Sequence, residues 1–369
     1  MEAYIEEGIV KLCDVNEKQL KLYHYTEVND RNKNIRGDVY DGDKLIMRTF
    51  PYTPEYCSTD INTDLNPNPN LRIFYSYEGC LLRLFYYNEE WHLSTHKRLD
   101  AFNSRWSSRT SFGETFVQAL DEEFRYNAEF RNFMGTLEST DLYTDFINKL
   151  DKDRQYTFLL LNTPDNYLVC VPPKRPRVYY TGYFKDFKYN FDDENVLGMC
   201  KPKEVKDSLD VEKLNFREFQ GYIVFKQDED GNTDVYKIMN KEYHEYSKVR
   251  GNQMNIRFRY LEIRLDPDMV NKISVLYPHY ITEFSTIENT LNNVGQYILS
   301  VYIDRFVKKQ YITTPKIFFN IIREAHSWHI SDRPTHRVNL TKIMEIINSR
   351  DALTLHRMIK RFLILKELL

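Results

Sequence analysis

Histidine, lysine and arginine stand together in His96-Lys97-Arg98, with Arg105 and Arg109 just beyond and Trp91, Phe102 and Trp106 interleaved. Cations spaced among flat aromatic faces suit single-stranded nucleic acid, whose phosphates meet ammonium and guanidinium groups while its bases stack on rings. An exposed connection between a strand and a helix accounts for the same run equally well. A second cationic stretch runs from Arg305 to Arg361, where Lys and Arg outnumber Asp and Glu and where His326, His329, His336 and His356 also fall. Such a run is ordinarily a solvated helix face, and an RNA-contacting surface is the alternative. His326 and His329 stand at i, i+3, but beyond the distant His336 no Asp, Glu or Cys at matching spacing completes a metal site, so none is expected. No G-x-S-x-G elbow, Walker-type loop or Rossmann glycine fingerprint occurs, which sets those chemistries aside.

Positioning such groups takes more than one core, since 369 residues exceed what a single core usually fills and two domains are the default. A hydrophobic fraction of 42% lies in the globular range, and a mean hydropathy of -0.60 without a long apolar run argues against a membrane span. The start, MEAYIEEGIVKL, lacks the basic and apolar regions of a signal peptide. Cys13, Cys57, Cys80, Cys170 and Cys200 are odd in number and never form C-x-x-C, which fits a reducing, cytoplasmic setting. A net charge of -3 gives no whole-molecule attraction to phosphate, so nucleic-acid binding would need local clusters. Only 12 Gly beside 28 Tyr and 23 Phe suggests an A+T-rich genome, that of a virus or parasite.

From about Leu20 to Lys241 short runs rich in Tyr, Phe, Val, Ile and Leu predict mixed α/β structure with much antiparallel sheet. Strands are expected at Leu45–Phe50, Leu81–Tyr87, Trp91–Thr95, Tyr156–Leu161, Tyr222–Gln227 and in DVYKIM, with turns at Asn88-Glu89-Glu90 and at Asp228 to Asn232, where Gly231 can take positive φ. The spacing of Phe112, Phe116, Leu120 and Phe124 predicts one helix over Ser111–Phe130. Asn66-Pro67-Asn68-Pro69 and Pro172-Pro173-Lys174-Arg175-Pro176 are stiff loops. Beyond Asp266 helical periodicity takes over, giving an expected division into residues 1–265 and an all-helical domain of residues 266–369.

Five segments, in order, resemble the phage tRNA-repair type of RNA ligase, a nucleotidyltransferase family. They are IRGDVYDG (Ile35–Gly42), SYEGCLLR (Ser76–Arg83), LSTHKRLD (Leu93–Asp100), LLLNTPDNYLV (Leu159–Val169), and FQGYIVF followed by VYKIMNKEY (Phe219–Phe225, Val235–Tyr243). The resemblance covers roughly Leu20 to Arg250 and implies an α+β fold: a nucleotidyltransferase domain with antiparallel sheets, followed by a helical domain. An ordinary Tyr/Phe-rich sheet in which Gly79 and Gly221 merely relieve crowding is the competing explanation.

Such ligases attack the α-phosphate of ATP with the lysine of a K-x-D-G motif, forming a phosphoramidate. Ser76 holds that place here, and its hydroxyl is too weakly acidic and too short to substitute. A glutamate that contacts the ribose corresponds to Leu160. The acidic residue of an E-G-x-V strand, which helps hold a divalent metal, corresponds to Gln220. Of a K-x-K pair that grips phosphate, Lys237 is kept and Met239 replaces its partner. Arg36, Glu78, Gly79, Lys97 and Lys237 are the nucleotide-binding positions the resemblance leaves, and His96, Arg98, Arg105 and Arg109 are the RNA-binding candidates at the lip of the cleft. ATP or GTP with Mg2+ would be the cofactors if nucleotide binding survives.

Loss of reacting groups with retention of scaffold glycines is the pattern of a pseudoenzyme, a degenerate ligase that binds RNA or a nucleotide, or docks protein partners in a larger assembly. Two alternatives stay open: an active RNA ligase or capping-type transferase in which Lys97 is a relocated nucleophile, and a structural component of a virion or viral factory. No membrane partner is expected.

Overall fold

Asn88 and Glu89 both take positive φ (49° and 64°), the backbone a two-residue turn needs to reverse a twisted strand, and the strands on either side pair antiparallel from Arg83 with Ser94 to Tyr87 with Glu90. The same logic recurs through the first part of the chain, in a computed structural model that describes residues 1–17, 19–58, 71–205, 210–228 and 233–367. Two units emerge, Met1–Ser247 and Lys248–Leu369. The sequence-based division at 265/266 assigns residues 248–265 to the first part. Asn66 to Pro69 and the Gly231 turn lie outside the described residues.

After a short α1 (Glu2–Glu6), strands β1 (Val10–Val15), β2 (Lys21–Tyr25), β3 (Arg36–Asp41) and β4 (Lys44–Met47) form an antiparallel meander in chain order. Next come β5 (Glu55–Cys57), β6 (Leu71–Ser76), β7 (Gly79–Tyr87), β8 (Glu90–Ser94), β9 (Gln155–Leu161), β10 (Val178–Lys185), β11 (Lys188–Asn190), β12 (Gly221–Gln227) and β13 (Thr233–Met239). One sheet has the order β11-β10-β9-β7-β8 and the other β5-β13-β12-β6, antiparallel throughout except where β5 runs parallel to β13. The chain passes from the second sheet to the first at Tyr77-Glu78. Phe50, Phe74, Phe184, Tyr189, Phe191 and Phe225, drawn from both sheets and the loops after β4 and β11, pack into one aromatic cluster.

Helices α2 (Phe112–Tyr126), α3 (Ala128–Met134) and α4 (Leu142–Asn148) supply the core against the five-stranded sheet, where Phe116, Leu120, Phe130 and Phe146 meet Leu82, Phe158 and Leu160. Each such side chain contributes about 1.5–3 kcal/mol by leaving water. The single helix expected over Ser111–Phe130 is two. Ser111 and Glu114 form a reciprocal capping box at the start of α2, and Asn127 ends it because its side chain accepts from Glu129 N (3.0 Å) and so starts α3. The Pro172–Pro176 loop carries no regular structure.

Helix α5 (Lys241–Arg250) carries the chain out of the first unit. The second unit is helical among the described residues: α6 (Ile256–Ile263), α7 (Pro267–Leu276), α8 (Ile281–Tyr302) with a π-helical turn at Ile303–Val307, α9 (Lys316–Ser331), α10 (Leu340–Asn348) and α11 (Ala352–Glu367). Leu291, Val294, Ile298, Phe318, Ile322, Ile343 and Met358 form its core. Mixed α+β architecture with antiparallel sheets followed by a helical region is therefore what the chain adopts. No helix among the described residues is long and apolar enough to cross a membrane.

Candidate functional site

Strand pairing alone brings Ser76, Gln220 and Met239 together. Gly221 pairs with Ser76 on one side and Met239 on the other, and Gln220 N donates to Ser76 O (2.8 Å). Such close approach explains the two glycines: a Cβ on Gly221 would lie 2.0 Å from Ile238 O, and one on Gly79 2.4 Å from Leu160 O.

A hydrogen-bond chain joins the side chains. Ser76 Oγ donates to Gln220 Oε1 (3.0 Å), and Lys237 Nζ donates to the same oxygen (2.9 Å) and to Glu55 Oε1 (3.2 Å). Gln220 Nε2 donates to Tyr243 Oη (2.8 Å), whose O–H donates to Glu78 Oε1 (3.0 Å). Glu78 also accepts from the backbone N–H groups of Leu168, Val169 and Cys170 at 3.0–3.2 Å. Ser76, Glu78, Gln220 and Tyr243 are buried. Each of these side chains meets a partner of matching polarity, which is what a stable buried network requires. Burial pushes the Glu78 carboxyl above its usual range, against the pull of the Val169 and Leu168 amides, and pushes the Tyr243 phenol up with help from the Glu78 charge. Cys170, beside them, is likewise pushed up by burial and then by Glu78, and so is no thiolate nucleophile.

The polar groups of this network are engaged by protein partners. Glu78 is committed to three amides and a phenol, Gln220 is uncharged, and Glu55 is engaged by Lys237. The cavity bounded by Tyr77, Glu78, Leu161, Asn162, Cys170 and Glu218 has a volume of about 30 Å³, against the hundreds of Å³ typical of ligand pockets. Among the described residues no group of three His, Cys, Asp or Glu could hold a metal ion.

Leu160 lies elsewhere than the resemblance implied. It is 2% exposed and packs in the helix-covered core, on the opposite face from Leu159 and Leu161 by strand alternation. All three are leucines, so no register of β9 offers a carboxylate there. Met239 is buried beside Ile238.

The remaining candidates divide. Arg36 donates to Pro51 O (3.1 Å) and Thr53 Oγ1 (2.8 Å), and burial lowers its pKa. His96 turns inward rather than toward solvent: its Nε2 is buried without a partner among the described residues, and burial, then Arg36 and Arg83, hold it well below the ordinary imidazole range. Lys97, Arg98, Arg105 and Arg109 are exposed, with Arg98 Nη1 3.5 Å from Asp14 Oδ1. Two of the three expected stacking faces serve the interior, Trp91 packing edge-on against Tyr86 and Phe102 against Tyr143. Sequence reasoning missed Tyr243, Glu55 and Arg83. Tyr243 ends the quoted segment VYKIMNKEY, but nothing in its type distinguishes it from 27 other tyrosines. Arg83 is fully buried, donates to Gly37 O and Thr95 O (both 2.6 Å), and is lowered by burial to about 9.

Solved structures resembling this one include an archaeal ATP-dependent RNA ligase (TM-score 0.42, 10% identity, 74% of this chain and 67% of that one) and a putative ATP-dependent DNA ligase from Aquifex aeolicus (TM-score 0.40, 12% identity, 88% and 86%). In sequence the chain is similar to the immediate-early protein ICP-46 homolog of Invertebrate iridescent virus 6, 29% identical across 94% of this chain and 79% of that protein. The homolog from Invertebrate iridescent virus 3 is 28% identical over 66% of this chain and 52% of its own length, and ICP-46 of Frog virus 3 is 26% identical over 73% and 69%. No protein-family model matches the chain.

Proposed function

We propose that this is a retired nucleotidyltransferase of the RNA-ligase type, which binds RNA and no longer forms a lysyl nucleotide. One observation carries the reading: Gln220 sits where the ligase motif has its acidic metal ligand, and its amide bridges Ser76, Lys237 and, through Tyr243, Glu78. The groups that would attack and clamp a phosphate are spent on one another. The sequence relatives in Invertebrate iridescent virus 6 and Frog virus 3 are named immediate-early proteins, which suits a viral setting for this reading.

A relocated nucleophile is the chief rival, because Lys97 is exposed and lies near the cationic neighbourhood of His24, Arg36 and His96. Incubation with labelled ATP or GTP, with magnesium and then manganese, distinguishes the two. The expected result is no acid-labile label on wild type, Lys97→Ala or Lys237→Ala. Label on wild type that disappears in Lys97→Ala would overturn the proposal and establish a working enzyme.

A further inference from the structure

Charge is divided unevenly along the chain. Residues 305–369 hold 13 Lys and Arg against 5 Asp and Glu, whereas residues 1–304 hold 38 against 49. Within the helical unit part of this excess gathers around the irregular end of α8. The π-helical turn there, a distortion often found at functional sites, leads into a connection held by Gln310 N to Asp304 O (2.9 Å) and Arg305 Nη1 to Ile312 O (3.3 Å). His326 stacks on Phe306 (centroids 3.7 Å apart, planes at 18°), with Tyr302 Oη 3.3 Å from its Nδ1. His336 stacks on Trp328 (4.1 Å, 12°), and Lys342 places its ammonium 4.5 Å from the centre of that indole. His329 contacts the His336 carbonyl.

Burial, and then the charges of His329, Arg333 and Lys309, hold His326 below its ordinary range. Lys309, Arg333 and Arg337 are exposed and make no ion pair among the described residues. Tyr311 is 89% exposed, the most of any large hydrophobic side chain described. Arg305 and Lys308, by contrast, are occupied, the first over the Phe319 ring and the second with Asp304.

We propose that this pole of the helical unit, with Lys309, Tyr311, Arg333 and Arg337 set around the His326 and Trp328 stacks, is a docking surface for single-stranded RNA. Free cations meet phosphates, and a ring with no protein partner over it meets a base. The inference rests on the RNA-binding reading above and gives it a location.

Fluorescence anisotropy on the full chain, with a labelled single-stranded RNA titrated across salt concentrations and polyglutamate as a competitor, tests it. Tyr311→Ala should weaken binding by about five-fold or more with an unchanged salt slope. Lys309→Ala/Arg333→Ala/Arg337→Ala should flatten the slope of log K against log salt by about 2, since each single-strand phosphate contact contributes about 0.7. Both variants should melt like wild type. Unchanged affinity and slope in both variants, with wild type still binding, would overturn the location and leave RNA binding intact. Failure of wild type to bind at low salt would instead sink the RNA reading itself. Equal competition by polyglutamate, with Tyr311→Ala indistinguishable from wild type, would assign the surface to an acidic protein partner and refute the proposal.

Discussion

Tyr243→Phe removes one hydroxyl and nothing else, and the network makes its consequence calculable. The lost O–H donates to the buried Glu78 carboxylate at 3.0 Å and accepts from Gln220 Nε2 at 2.8 Å. A hydrogen bond to a charged group is worth about 1.5–3 kcal/mol, and a buried amide donor left without an acceptor costs about 1–3 kcal/mol. Glu78 keeps its three backbone donors, which trims the first contribution, so about 2–4 kcal/mol of destabilisation is expected. Urea titration gives the total. Hydrogen exchange at Leu168, Val169 and Cys170, whose amides bind Glu78, shows whether the loss is local. The sign discriminates between a retired and a working site. In a working site polar groups are held strained and poorly satisfied, and an apolar isostere commonly stabilises the fold. In a closed network it must destabilise. Unchanged or increased stability in Tyr243→Phe would refute the claim that these groups are spent on one another.

Leu160→Ala should cost about 2–5 kcal/mol by opening a cavity in the helix-covered core and leave RNA affinity unchanged, as denaturation and anisotropy would show. Burial lowers His24 from 6.5 to about 4, so the folded state resists its protonation: this stability is present above pH 6.5 and lost as pH falls toward 4. Comparing wild type with His24→Gln by denaturation at pH 7 and pH 4.5 should reveal a difference of about 1–2 kcal/mol, less than the full shift implies because solvent screens part of the ring. Ser76→Lys alone should destabilise, since it sets an ammonium beside Lys237 on one amide oxygen. Adding Gln220→Glu should recover at least about 1 kcal/mol in a double-mutant cycle, without restoring nucleotide labelling.

The helical region was legible because its apolar residues recur at 3.6 in long uninterrupted segments, α8 and α9 among them. Strands β7, β8, β9, β12 and β13 were legible from dense apolar runs between turn residues. By contrast β10 escaped, because a proline-rich loop precedes it and its register shifts between Tyr180 and Gly182, which breaks the period-two pattern. Strand β1 escaped because most of its length is not buried and carries no alternation to find. For the site, order and spacing of motifs located Ser76, Gln220 and Lys237 as neighbours. They could not say which way a side chain points: an offset of one residue along β9 exchanges one face of the sheet for the other, and Leu160 faces the helix-covered core. The partial burial of His96, Trp91 and Phe102 was hidden for the same reason, since composition gives residue types without their facing.

Under the proposed retired-ligase reading, Ser76 and Gln220 make physical sense as a pair. A lysine at position 76 and a glutamate at position 220 would put an ammonium and a carboxylate in a buried site. Desolvating the two ions costs several kcal/mol each, repaid only when further polar groups, a metal or a phosphate surround them. Changing one alone leaves an uncompensated buried charge, the more costly state. Ser76 and Gln220 remove both charges at once and leave net charge unaltered, while their 3.0 Å hydrogen bond keeps β6 tied to β12. Glu78 could persist because its partners, three amides and Tyr243, all belong to the protein. What survives is what the fold can satisfy without a ligand. If the proposal holds, selection on such a chain acts on folding and on exposed surface, which directs the search for function toward the cations that the fold leaves unpaired.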